Sequence, residues 1–112
     1  MDMEINTKTL KDVTVVEVIG DIDGKTAPQV QDAVKAAFQA SGKLLLDLTK
    51  VPYMSSAGLR MMVGVFRLVS GGNGKMALVG VNDEIKETMD VTGFLSYFTI
   101  YATLDEGVEA LQ

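Results

Sequence analysis

The stretch from Leu44 to Leu68, LLLDLTKVPYMSSAGLRMMVGVFRL, constrains the fold more than any other part of the chain. Leu44, Leu45, Leu46 and Leu48 make an apolar run of strand length, which reads as a buried strand. A turn containing Pro52 follows, and Ser55, Ser56, Ala57 and Gly58 then lead into a segment of helical period. The chain therefore delivers two hydroxyls from the end of a strand to the start of a helix. Helix N-termini carry unpaired N–H groups and the positive end of the macrodipole, so an anion or a phosphorylated serine is favoured there. The same pattern fits a plain N-cap, for which serine is a preferred residue.

The flanking sequence alternates in the same way. Met3–Leu10 and Val13–Ile19 read as strands joined through a turn at Lys11 and Asp12, the second being rich in β-branched residues. Gly20 to Gly24 form a loop, and Thr26 with Gln29 fits a capping box in which Pro28 is tolerated. Val30, Ala33, Val34, Ala37 and Phe38 give that helix one apolar stripe before Gly42 stops it, and the strand Lys43–Leu48 begins. After the helix that follows the serines, Ser70 to Gly74 are turn residues and Lys75–Val79 a short buried strand. Asn82 caps a helix running through Asp90, with Asp83 and Glu84 in its first turn. Gly93 closes that segment, and Phe94, Leu95, Tyr97 and Phe98 read as core packing around a strand Phe98–Tyr101. Thr103 and Glu106 form a second capping box, opening a last helix with Val108 and Leu111.

This order predicts one α/β domain over residues 1–112. Its sheet is mixed, with about five strands: an opening hairpin, then parallel strands, flanked by four helices. Sites on such sheets lie beyond the carboxyl ends of the strands. Two loops qualify, Gly20 to Lys25 with Asp21 and Asp23, and Val51 to Gly58 with Ser55 and Ser56.

Composition narrows the function. The chain has no cysteine and no histidine, so no Ser/His/Asp or Cys/His nucleophilic system can be assembled and no thiolate metal site exists. A binding protein is expected rather than an enzyme, without cofactor or metal. A net charge of −5 opposes nucleic-acid binding, for which a basic patch is the usual footprint. Apolar runs are broken well before bilayer-spanning length, so no membrane insertion and a cytoplasmic location are expected.

The helix after the serines is apolar over more than one stripe. Leu59, Met62, Val63, Phe66 and Val69 form the stripe expected against a sheet, and Met61, Val65 and Leu68 add a second, leaving Arg60, Gly64 and Arg67 on a narrow polar line. Such breadth fits either deep burial or a surface that a partner covers, and methionine suits an adaptable contact.

Three segments carry a resemblance to a known family. Gly20, Asp21, Ile22, Asp23, Thr26, Ala27 and Pro28 form the first. The second is Asp47, Leu48, Thr49, Val51, Met54, Ser55, Ser56, Ala57, Gly58, Leu59 and Arg60, and the third is the tail from Val91 to Leu111. Together they resemble the anti-sigma factor antagonists of the STAS domain family over essentially the whole chain. The resemblance implies a regulatory protein whose unphosphorylated form binds an anti-sigma factor, itself a serine kinase of the ATPase-lid type, and so frees a sigma factor. It implies that phosphorylation breaks the complex and that a serine phosphatase restores it. Ser56 falls on the phosphorylated position, with Ser55 as the neighbouring alternative. Ser55 stands where the family most often has Asp, and Ala57 where Ser or Thr is frequent. The implied partner surface comprises Asp21, Asp23, Ser55, Ser56, Gly58, Arg60, Met61, Val65 and Leu68. Asp23 reads equally as a turn residue holding its loop. A second role known for STAS-like domains, docking to a lipid or anion transporter without phosphorylation control, is the alternative that the resemblance leaves open.

Overall fold

The computed structural model describes residues 3–112. Its elements are β1 (Glu4–Leu10), β2 (Val13–Ile19), α1 (Ala27–Ala40), β3 (Lys43–Lys50), α2 (Ser56–Gly71), β4 (Lys75–Val79), α3 (Asp83–Val91), β5 (Ile100–Tyr101) and α4 (Leu104–Ala110). The strands lie in chain order in one sheet. β1 and β2 are antiparallel and all later neighbours are parallel, as the sequence predicts. Lys11 and Asp12, with φ of 55° and 66°, form the left-handed pair that a two-residue hairpin uses to match strand twist.

Successive residues of a strand point to opposite faces, so the leucine run of β3 feeds two cores. Leu44, Leu46 and Leu48, with Val16, Val18 and Leu78, pack beneath α1, α2 and α3. Leu45, with Val13, Val15, Ala77 and Val79, is covered by Val108 of α4 and by Leu111, the residue that caps its C-terminus. Three helices therefore share one face, and α1 and α2 pack side by side there.

Two local expectations change. The strand expected over Phe98–Tyr101 shrinks to Ile100–Tyr101, because a 3-10 turn at Leu95–Tyr97 precedes it and Phe98 donates its N–H back to Leu95. Phe98 is nonetheless core, its ring edge-on to Phe66 at 5.3 Å, whereas Tyr97 is exposed. The Thr26–Gln29 capping box is absent. Thr26 caps nothing with its side chain, because its hydroxyl accepts the Asp23 N–H at 2.9 Å and donates to the Asp21 carbonyl at 2.8 Å, while its own N–H, which Gln29 would take in a box, goes to the Asp23 carboxylate at 3.1 Å. At Thr103 the cap itself forms, the hydroxyl accepting the Glu106 N–H at 3.2 Å, while the Glu106 carboxylate accepts that hydroxyl at 3.1 Å and not the Thr103 N–H of a full box.

Candidate functional site

The two loops singled out in the sequence are fastened to one another. Ile22 forms an isolated parallel bridge with Met54: its N–H donates to the Tyr53 carbonyl at 3.0 Å, and its carbonyl accepts the Ser55 N–H at 2.9 Å. One further bond, from the Gly20 N–H to the Lys50 carbonyl at 3.1 Å, closes the gap at the strand ends. On its other flank the Val51–Ser55 loop is held by Asn82, whose amide donates to the Pro52 carbonyl at 3.2 Å and the Val51 carbonyl at 3.4 Å. Gly58 completes the fit. A Cβ there would lie 2.9 Å from both the Ile22 carbonyl oxygen and Met54 Cγ, so only glycine lets α2 start this close to the neighbouring loop.

Within this frame the two serines have different tasks. Ser55 is the N-cap of α2, extended at φ −78° and ψ 172°, and its half-buried hydroxyl accepts the Gly58 N–H at 3.2 Å. Ser56 is the first helical residue; it is exposed, and its hydroxyl has no hydrogen bond among the described residues. The N–H groups of Ser56 and Ala57 have no backbone partner among those residues, and the first turn of α2 holds no acid. A free hydroxyl thus stands at an uncompensated positive helix end.

The remaining expected contact residues divide between surface and interior. Asp21 and Arg60 are exposed, Leu68 is 44% exposed and Met61 half-buried. Gly58 and Val65 are buried, Val65 at 1%, and this corrects their expected place on a partner surface. Gly58 serves the close approach to Ile22, and Val65 turns into the core that α1 and α2 share. Asp23 is half-buried and acts as a turn residue: its carboxylate accepts the N–H groups of Lys25 at 2.9 Å and Thr26 at 3.1 Å. Those amides, Lys25 first, hold its carboxyl below the ordinary value.

Sequence reasoning missed three participants. Tyr53 is 54% exposed beside the serines, and its Tyr-after-Pro position carries no signal of its own. Asn82 was legible as a cap but not as the clamp on a loop 30 residues earlier. Tyr97 carries the Arg67 guanidinium, with the phenolic oxygen at 3.3 Å and the ring centroid at 5.5 Å. Two surface cavities, of about 280 and about 250 Å³, lie around the hairpin tip and the starts of the parallel strands, away from the serines. Among the described residues no cluster of acidic side chains is placed to hold a metal ion, and no helix is long and apolar enough to cross a membrane.

Known proteins resemble the chain in sequence and in fold. The anti-sigma-B factor antagonist of Listeria monocytogenes is 36% identical over 77 residues, 68% of each chain. That of Bacillus subtilis is 27% identical over 109 residues, covering 97% of this chain and all of the relative. The crystal structure of an anti-sigma factor antagonist from Mycobacterium paratuberculosis superposes with a TM-score of 0.88 at 26% identity, over 98% of this chain and 94% of that one. The STAS domain family model matches residues 4–107, and the chain belongs to that family.

Proposed function

We propose that this chain is an anti-sigma factor antagonist, a binding protein and not an enzyme, whose unphosphorylated form binds an anti-sigma factor with serine kinase activity. Ser56 is the phosphoacceptor, and a serine phosphatase resets the switch. The observation that carries this reading is the division of labour between the serines. The Ser55 hydroxyl is spent on the cap, whereas that of Ser56 is free, exposed and at a helix start. A phosphate on Ser56 adds close to two negative charges at a point where helix N–H groups accept them, so the fold survives modification. Arg60 lies one turn further along the same exposed line. A phosphate at Ser56 attracts it in the i, i+4 relation, so modification both adds charge to the surface and withdraws a cation from it.

Incubation with the cognate kinase and ATP, followed by intact-mass analysis, tests this. One phosphate is expected on the wild type and on Ser55→Ala, and none on Ser56→Ala. A phosphate retained on Ser56→Ala overturns the assignment. The names of the relatives support this reading over transporter docking, which predicts partner binding that Ser56→Asp leaves unchanged.

A further inference from the structure

Gly64 lies near the middle of the 16-residue helix α2 and is exposed, and a Cβ built on it would meet nothing within 4 Å. No contact among the described residues requires glycine there, and glycine in a helix interior is a destabilising choice. The neighbours on the same face are distinctive. Arg60 and Arg67 are exposed on either side, with Met61 half-buried and Leu68 exposed beside them. Neither arginine is in an ion pair among the described residues, and Arg67 is held in place against Tyr97.

Charge singles this face out further. α2 contains two arginines and no acid, in a chain of net charge −5. By contrast, α3 has Asp83, Glu84, Glu87 and Asp90 against Lys86, and α4 has Asp105, Glu106 and Glu109 with no base. Arg60 and Arg67 are seven residues apart, about 10 Å along the axis, which is the width of one helix with its side chains.

We infer that the outward face of α2 seats an acidic helix of the anti-sigma factor, crossing at Gly64. This rests on the function proposed above and extends it from the serine to the far half of the helix. The missing side chain lets the two backbones approach, Met61 and Leu68 meet an apolar residue of the crossing helix, and Arg60 and Arg67 receive carboxylates from its two sides.

Titration calorimetry with the purified anti-sigma kinase, alongside thermal melts of the free chain, tests it. Gly64→Ala is expected to raise the melting temperature, as glycine replacement in a helix does, while weakening binding about fivefold. Gly64→Gln should weaken binding by roughly 30-fold or more, and Arg67→Glu by about tenfold, while the same charge reversal at the α1 residue Lys35 stays within about twofold. Opposite signs for stability and binding at Gly64 are what a merely structural glycine cannot give. If Ser56→Asp abolishes binding while Gly64→Gln leaves it within about twofold of wild type, the serine switch stands and this inference falls. If the wild type does not bind the kinase, both fall. Sedimentation that shows wild-type self-association abolished by Gly64→Gln assigns the face to a second copy and overturns the inference.

Discussion

Helices α2 and α3 begin with the same backbone geometry. Ser55 (φ −78°, ψ 172°) and Asn82 (φ −71°, ψ 165°) are both extended, and each side chain accepts the N–H of the third helical residue, Gly58 or Ile85. The positions between differ. α3 places Asp83 and Glu84 in its first turn, whereas α2 has Ser56 and Ala57 and no acid. The positive end of α3 is thus permanently complemented, and that of α2 is left open at the one residue whose modification would complement it. The third position differs as well: Ile85 is a buried core side chain, while Gly58 yields its place to the Ile22 backbone. A shared cap has been finished as a fixed joint in one helix and as a close-packed start with an exposed, unbonded hydroxyl in the other.

The largest expected effect tests that third position. In Gly58→Ala the new methyl meets the Ile22 carbonyl, which also accepts the Ser55 N–H. Relieving the clash therefore strains the bond that ties the two loops together. Overpacking of this kind costs about 1–3 kcal/mol, or roughly 5–15 °C in melting temperature for a domain of this size. Ile85→Val, which only trims a core methyl, costs about 1 kcal/mol. Scanning calorimetry that shows Gly58→Ala melting with the wild type would remove the claim of close packing at α2.

The caps come next. Ser55→Ala loses one bond to the Gly58 N–H and is expected to cost about 1 kcal/mol. Asn82→Ala loses the equivalent bond, to the Ile85 N–H, and also the grip on the Pro52 and Val51 carbonyls, for a total of about 2 kcal/mol. Denaturant melts giving equal losses would mean that the clamp adds nothing to the cap.

How much of this was legible beforehand follows from which interactions are local. The elements and the sheet order are written in periodicity and in punctuation by glycine, asparagine and proline, all short-range signals. The serine pair was legible as a helix start. Which serine caps the helix was not, because that depends on the residue at which the chain turns from extended to helical, and this is fixed by the Ile22 bridge from a distant loop. Val65 shows the same limit. Its stripe is apolar, but whether it is buried depends on α1 lying beside α2. Thr26 failed for a local reason: Asp23 competes for the same N–H and wins.

A smaller effect, of opposite sign in the two helices, probes the charge difference directly. Ser56→Asp gives α2 the acid that α3 already has and is expected to stabilise the free chain by about 0.3–1 kcal/mol at low salt. Asp83→Ser makes the reverse change in α3 and should destabilise by a similar amount. Raising the salt concentration should shrink both effects. On the function proposed above, the stabilised Ser56→Asp chain should nonetheless bind an anti-sigma kinase more weakly, so stability and binding move apart. Equal signs in the two melts would break the comparison.

The smallest expected effect concerns α1, a third helix start that lacks a side-chain cap at Thr26 and relies on Asp23 instead. The Asp23 carboxyl is held below its ordinary 3.8, first by the Lys25 N–H and then by that of Thr26. A group with a depressed folded-state value contributes stability above its unfolded-state value and loses it as the pH falls through the folded-state one. Asp23 therefore supports its loop at neutral pH and loses that role progressively as the pH falls below 3.8 towards its lowered folded-state value. Asp12 is lowered too, chiefly by its hydrogen bond from Lys43, so the wild type alone does not isolate the effect. The difference in melting temperature between wild type and Asp23→Ala does, because Asp12 is common to both. That difference should be present at about pH 6 and shrink as the pH falls below 3.8 through the lowered folded-state value. A gap that persists into acid would mean that Asp23 holds the loop by packing and not by accepting N–H bonds as a carboxylate, and the start of α1 would then resemble neither of the capped helices.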